Sequence, residues 1–154
     1  MQNLTIDTGV QCFAVNGGPE NGGGVLRFNP GDPGVYSRFL ALEPEMKELE
    51  HSLSEKGQQL PEKDGKGALE LLDEADRRAK ALLAEVFGPG NDFDSILGGA
   101  SLMAVASNGE RVITNLFAAL QPILEQGAQT CAQQRAETAV AQANARRAAR
   151  GDSE

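Results

Sequence analysis

Two regularly spaced series of apolar residues constrain the fold of this chain more than any other feature. The first alternates spacings of four and three residues, and its members are Val35, Phe39, Leu42, Met46, Leu49 and Leu53. An α-helix places such positions on one face, so the series predicts a long amphipathic helix that needs a partner. Pro44 lies inside the series and predicts a kink or a restart near Glu43, because proline removes one helical hydrogen bond.

A second apolar series predicts a neighbouring helix, and its members are Leu69, Leu72, Ala75, Ala79, Leu82 and Val86. The segment from Gly57 to Gly67 contains Pro61 and lacks this spacing, so it predicts the connection between the helices. Acidic residues precede basic ones by four positions on the second helix, which stabilises an exposed helix by about 0.3 kcal/mol per pair. The pairs are Asp73/Arg77, Glu74/Arg78 and Asp76/Lys80. Together the two series predict an antiparallel helical hairpin.

The N-terminal region has the alternation of apolar and polar residues that is typical of strands. Leu4–Asp7 and Gln11–Val15 both show it, and Thr8–Val10 between them predicts a β-hairpin turn. Val25–Phe28 predicts a third strand. Residues 16–24 are rich in glycine and predict a flexible loop. The expected fold class is α+β, predominantly α, with a small hairpin or three-stranded sheet before the helices.

Turn and capping residues set the predicted limits of the helices. Asp32 can accept hydrogen bonds from the free N–H groups of a first helical turn, and Pro33 suits the first helical position. Asn91–Leu97 predicts a short helix or turn that packs back on the core. A long C-terminal helix is expected to begin near Glu110 and to bend at Pro122.

The composition changes near residue 127, where large apolar residues give way to Ala, Gln and Arg. We therefore expect one domain over residues 1–127 and an arm over residues 128–154 that is an exposed helix, a frayed tail or a partner-dependent segment. Residues 41–94 contain 14 acidic and 7 basic side chains, whereas residues 130–150 have a net charge of +3. A basic arm fits an acidic neighbouring subunit, an acidic partner or nucleic acid, and a solvated helical tail is the simplest interpretation.

No pattern of catalytic or metal-binding residues is apparent in the sequence. His51 is the single histidine and has no nucleophile or orienting partner nearby. Cys12 and Cys131 lie far apart without further metal ligands at suitable spacing, so both are interpreted as structural thiols. The glycine-rich segment 16–24 lacks the Lys and Ser/Thr of a phosphate-binding loop. We therefore expect a protein that binds rather than catalyses, without metal or cofactor.

Charge and hydropathy exclude further classes of protein. The net charge of −8 and the pI near 4.7 argue against non-specific binding of nucleic acid, because the phosphate backbone repels an acidic surface. No apolar stretch approaches the roughly 18 residues of a membrane-spanning helix. Met1–Thr5 has neither the basic nor the apolar region of a secretion signal, so export by that route is not expected.

Several short motifs resemble those of one protein family. Val25–Pro33, followed by Tyr36, Arg38 and Phe39, resembles the strand, turn and helix start of small tail assembly chaperones of long-tailed bacteriophages and prophages. Val86–Gly90, Ile96–Gly99 and Asn115–Phe117 look like later landmarks of that family. The resemblance covers roughly residues 4–125. It departs from the family pattern in the glycine-rich segment and in the C-terminal arm.

The resemblance implies a non-enzymatic protein of the bacterial host cytoplasm. Such a protein would bind the phage tape-measure protein and the major tail protein, which forms the tail tube, during tail assembly, and it is compatible with a homo-oligomer. The alternatives are a structural virion component and a small helical adaptor. The candidate partner-binding residues are the aromatic Phe28, Tyr36, Phe39, Phe87 and Phe117, each more often core than contact in such a fold, and Arg146, Arg147 and Arg150 of the arm.

Overall fold

The computed structural model describes residues 1–150 and has a small sheet followed by helices, which confirms the predicted α+β, predominantly α class. A short 3-10 helix, Pro19–Asn21, separates the two strands. The elements are β1 (Gln11–Val15), β2 (Gly24–Phe28), α1 (Pro33–Gln58), α2 (Gly65–Phe87), α3 (Phe93–Ile96) and α4 (Val112–Ala149).

The sheet has two antiparallel strands: the strand predicted at Val25–Phe28 is confirmed as part of β2, whereas the predicted strand at Leu4–Asp7 and its hairpin with Gln11–Val15 are wrong. Gln11 of β1 lies opposite Phe28 of β2, and the expected partner Leu4–Asp7 forms no strand. The chain turns before β1, where the Asp7 carboxylate accepts a hydrogen bond of 2.9 Å from the Gly9 N–H. The buried side chains that β2 supplies from its own apolar positions explain why β1 pairs with it instead.

The glycine-rich segment, predicted to be a flexible loop, forms hydrogen-bonded turns around the 3-10 helix between β1 and β2. Gly18, with a φ of 82°, donates to the Val15 carbonyl at 3.0 Å, and Gly23 donates to the Gly18 carbonyl at the same distance. A side chain at Gly23 would overlap the Val15 carbonyl oxygen. Glycine is therefore required at these positions for positive φ and for close approach of the backbone.

The helices α1 and α2 form the predicted hairpin, joined by residues 59–64. Asp32 is the N-cap of α1 and accepts from the Gly34 N–H at 2.8 Å, as predicted. The helix continues through the exposed Pro44, so the predicted restart near Glu43 does not occur. The buried residues of the two helices are Val35, Leu42 and Met46 on α1 and Ala75, Asp76, Ala79, Leu83, Val86 and Phe87 on α2.

The apolar face of α2 differs in two places from the predicted series. Leu69 is 68% exposed, and Leu83 rather than Leu82 is completely buried. Two of the three predicted acid–base pairs are ion pairs: Asp73 with Arg77 at 3.4 Å and Asp76 with Lys80 at 3.0 Å.

The last helix, α4, runs antiparallel to α1 and extends beyond it. The ring of Phe117, near the start of α4, lies 5.8 Å from that of Phe39. Ten residues later, Gly127 packs so closely against Pro30, just before α1, that a side chain there would overlap the Pro30 carbonyl. The predicted short helix is confirmed as α3, and α4 is a single helix of 38 residues through Pro122.

The molecule therefore has two distinct ends. We call the end that carries β1, β2 and α3 the strand end, and the end that carries the α1–α2 connection the loop end. The C-terminal arm continues α4 past the strand end as an exposed helix to Ala149, and residues 151–154 of the predicted arm lie outside the described residues. No helix within residues 1–150 combines the length and the apolar character needed to cross a membrane.

Candidate functional site

Two of the five candidate aromatic residues lie in the core at the strand end. Phe28 is 3% exposed and Phe87 is 6% exposed. Their rings pack edge to face at 4.9 Å, and Phe13 stacks on Phe28 at 5.0 Å while Phe93 lies 5.8 Å from Phe87. Such pairs add about 0.5–1.5 kcal/mol beyond the area they bury. Both residues therefore stabilise the fold and offer no surface to a partner.

The other three candidate aromatic residues are half-buried. Tyr36 and Phe39 lie on the first turns of α1, where they pack against the buried core. Phe117 packs edge to face on Phe39 and also lines an open groove at the loop end. Of the five, Phe117 is therefore the residue that reaches a surface cavity able to receive a partner.

The three candidate arginines lie on the arm, away from the aromatic residues. Arg146 and Arg147 occupy the last turn of α4, and Arg150 caps that helix by donating its backbone N–H to the Arg146 carbonyl at 3.1 Å. All three are exposed. The structure therefore does not unite the two groups of candidate residues in a single site.

A groove lies at the loop end of the molecule. It has a volume of about 860 Å³ and lies between the second half of α1, the first half of α2 and the first turns of α4. We call it the loop-end groove. Its apolar lining comprises Met46, Leu49, Leu53, Leu60, Pro61, Ala68, Leu71, Leu72, Met103, Ile113 and Phe117.

The loop-end groove is open because α4 covers only part of the hairpin. Leu42 of α1 is 3% exposed, whereas Leu49 and Leu53 on the same face are only half-buried. Residues at helical spacing usually face a continuous core, so half-buried leucines at the end of the series indicate a missing neighbour. The groove is thus a continuation of the core that residues 1–150 leave uncovered.

Acidic side chains surround the apolar floor of the loop-end groove. Glu50, Glu62 and Asp64 line it together with one cation, Arg111. Glu50 and Glu62 are exposed, while Asp64 is the N-cap of α2 and accepts from the Gly67 N–H at 2.8 Å. An apolar floor with an acidic rim suits an amphipathic helix that carries basic residues beside its apolar face.

A partly buried ion-pair network connects α3 and the loop after it to α2. The Lys80 ammonium contacts Asp76 at 3.0 Å and Asp94 at 2.7 Å, and it donates to the Ala100 carbonyl at 3.0 Å. Asp76 also accepts from the Leu102 N–H at 2.7 Å. Burial opposes the charged form of Lys80, but the hydrogen bonds and negative charges of Asp94 and Asp76 outweigh it and raise the pKa of its ammonium. These groups satisfy one another, so the network is structural.

The buried side chain of Asn91 connects β2 to the end of α2, a role that no sequence pattern predicted. Its side-chain amide donates to the carbonyls of Arg27 at 2.8 Å and of Phe87 at 2.9 Å, and its side-chain oxygen accepts from the Arg27 N–H at 2.8 Å. One buried side chain therefore satisfies the free edge of β2 and the end of α2 together. No local pattern signals this role, because Arg27 is 64 positions away in the chain.

The remaining reactive side chains show no catalytic arrangement. His51 is exposed and lies 3.1 Å from Glu55 one turn later. Both cysteines are free; Cys131 is half-buried, but Cys12 is exposed, so its interpretation as a structural thiol is not supported by packing. Residues 1–150 contain no cluster of three or more His, Cys, Asp or Glu side chains able to hold a metal ion.

Comparison with known proteins identifies no relative. No protein-family model matches the chain, and neither the curated proteins nor the solved structures provide a significant match. The geometry of the loop-end groove and the motif resemblance are therefore the observations that bear on function.

Proposed function

We propose that this protein acts by binding, without catalysis, and that its loop-end groove holds the apolar face of a partner helix. The observation that carries the proposal is the groove itself: about 860 Å³ between three helices, with an apolar floor and an acidic rim. A helix laid in such a groove inserts side chains at every third or fourth position. This arrangement would replace the neighbour that α1 and α2 lack at the loop end.

The size of the groove is suited to reversible binding. Burial of two or three leucine-sized side chains contributes about 3–9 kcal/mol before the cost of association is deducted. A dissociation constant in the micromolar range corresponds to about 8 kcal/mol after that cost, so binding of this strength also requires charge contacts at the rim and a partner helix that extends beyond the groove. Reversible binding is what a transient assembly partner requires.

The motif resemblance supplies a specific version of this proposal. The protein would be a tail assembly chaperone in the bacterial host cytoplasm, and the helix in the groove would belong to the phage tape-measure protein. The major tail protein would be a second partner. The acidic surface of residues 41–94 would then keep a complex with an apolar helical protein in solution. A structural virion component, the alternative, would persist in mature particles, whereas a chaperone would be absent from them.

Co-expression with a fragment of the tape-measure protein of the same phage or prophage tests the proposal. We expect the full-length chain to co-purify with this fragment at micromolar concentration. Leu60→Asp should abolish the complex, because Leu60 lines the groove and is half-buried there. Leu40→Asp is the matched control, since Leu40 is 52% exposed on α1 and does not line the groove.

Two results would argue against the proposal. The first is a wild-type chain that stays free of the fragment although both proteins are folded by circular dichroism. The second is an equal loss of binding in Leu60→Asp and Leu40→Asp, because this would show that surface apolarity in general, and not the groove, holds the partner.

A further inference from the structure

The C-terminal arm and the loop-end groove lie at opposite ends of the molecule. The start of α4 lines the groove at Ile113 and Phe117, and the helix then runs back along α1 to Gly127 beside Pro30. Residues 129–150 continue from there past the strand end for about 33 Å at the usual helical rise. The arm of one molecule therefore cannot reach its own groove without breaking α4, but it can reach that of a second copy.

Residues 132–149 of the arm form a helix whose side chains are not buried in the monomer. Every side chain from Ala132 to Arg150 is exposed. Alanine favours the helix locally, but most helices in proteins are stabilised by packing one face against a neighbour. Val140, 60% exposed, is the one large apolar side chain in this stretch, with Ala136 and Ala143 one turn away on either side. This small apolar face is the part of the arm that is suited to the confined space between three helices.

The charges of the arm and the groove are opposite. Residues 130–150 have a net charge of +3, and Arg146 and Arg147 follow Val140 at a distance of about 10 Å along the helix. Glu50 and Glu62 are exposed at the rim of the loop-end groove. An arm that placed Val140 in the groove would bring the two arginines to the acidic rim. Charge complementarity of this kind orients an encounter and selects against other partners.

We infer that the arm of one copy occupies the loop-end groove of a second copy. This inference rests on the proposed function, because it assigns a resident occupant to the same groove. The contact joins two different surfaces, so it is heterologous and continues from copy to copy as an open chain unless the rotation closes a ring. A partner helix then binds by displacing the arm, so that self-association and partner binding compete.

Sedimentation velocity of the full-length chain tests the inference. The wild-type protein should form species larger than a monomer at micromolar concentration and low salt, and fewer of them at high salt. Arg146→Glu/Arg147→Glu should raise the dissociation constant of self-association roughly tenfold, because it places like charges at the rim. Lys47→Glu/Arg77→Glu makes the same change in net charge at exposed positions that do not line the groove, and it should leave self-association unchanged.

Reversing the charges at the rim of the groove provides the decisive test. Glu50→Arg/Glu62→Arg should also dissociate the protein. An equimolar mixture of this variant with Arg146→Glu/Arg147→Glu should associate again, since each arm then meets a groove of opposite charge. The inference is wrong if the two variants remain monomeric when mixed. It is also wrong if the wild-type chain is monomeric at micromolar concentration and low salt.

The experiments distinguish a failure of this inference from a failure of the proposed function. Val140→Asp changes the apolar face of the arm and no residue that lines the groove, so it should prevent self-association and bind the tape-measure fragment at least as tightly as the wild type. A monomeric wild type that binds the fragment contradicts the inference alone. Arm-dependent self-association without binding of the fragment supports the inference and contradicts the proposed partner.

Discussion

Both ends of the helical hairpin carry apolar residues at helical spacing, but these residues are buried at the strand end and half-buried at the loop end. At the strand end, Leu83, Phe87 and Phe93 are buried. The Asn91 side chain forms hydrogen bonds with the backbone of β2 and of the end of α2. Arg38 adds to these contacts by donating its Nε–H to the Val86 carbonyl at 3.0 Å, which ties α1 to the end of α2. At the loop end, leucines at the same helical spacing are half-buried around an open groove.

The difference shows that apolar spacing identifies a helix face but not what covers it. The strand end is covered by β2, α3 and the ion-pair network, so its apolar residues contribute to stability. The loop end is covered only by the first turns of α4, so its apolar residues remain available to a partner. We therefore expect substitutions at the strand end to affect unfolding and those at the loop end to affect binding.

The largest effect on stability is expected from Leu83→Ala. Leu83 is completely buried between the helices, and its truncation leaves a cavity that costs about 2–5 kcal/mol. Leu69→Ala on the same helix removes the same atoms from a largely exposed side chain and should cost about 0.5 kcal/mol or less. Urea unfolding of both variants measures the difference. Equal costs would show that the two parts of α2 are equally packed, contrary to the comparison.

A smaller effect is expected from Asn91→Ala. The substitution removes three hydrogen bonds and leaves the Arg27 and Phe87 backbone groups without this partner, which costs about 1–3 kcal/mol. Asn108→Ala is the control, because Asn108 is exposed and bonds mainly to the nearby side chain of Asn115. Amide hydrogen exchange should accelerate around Arg27 in the first variant only. If it does not, the polar closure of the strand end is not important for its stability.

The ion-pair network should make stability fall at high pH. The pKa of Lys80 is raised above its ordinary value of 10.5, so its contribution is fully present below that value and is lost as the pH rises through the higher folded-state pKa. Lys80→Met removes the cation from between Asp76 and Asp94 and should cost about 1–2 kcal/mol at neutral pH. Its stability should then decline less steeply above pH 10.5 than that of the wild type. Lys47→Met, at an exposed pair, should keep the wild-type profile.

A small effect on stability is expected from Leu60→Asp at the loop end. Leu60 belongs to the connection between α1 and α2 and lines the groove, so an exposed carboxylate is accommodated at a cost of about 1 kcal/mol or less. The same variant should have the largest effect on partner binding. Thermal unfolding and co-purification of one preparation test both statements. A Leu60→Asp protein that unfolds well below the wild-type temperature would place this residue in the core instead.

Local signals were sufficient to predict the helical part of the fold. Asp32 and Pro33 define the start of α1 because capping depends on neighbouring residues only. The partner of β1 was not predictable in the same way: Leu4–Asp7 and Val25–Phe28 both have strand patterns, and the choice depends on which of them brings buried side chains to the core. Asn91 and Asp94 act on residues distant in sequence, so their roles appear only once the chain is folded.

The candidate site was predicted only in part. Aromatic residues were selected for their size, but size alone does not distinguish Phe28, which is buried, from Phe117, which reaches the groove. The groove residues Leu49 and Leu53 belonged to the predicted helix face, yet their partial exposure depends on where α4 begins. The basic arm was recognised from composition, whereas its position opposite the groove follows from the direction of α4.

Amide hydrogen exchange of the full-length chain, with and without the tape-measure fragment, tests the central claim most directly. If the loop-end groove binds a partner helix, exchange should slow in residues 57–72 and at the start of α4, while residues 24–28 and 83–93 remain unchanged. The Leu60→Asp variant should show no such protection. Protection confined to the strand end, or protection that persists in Leu60→Asp, would contradict the assignment of binding to the loop end.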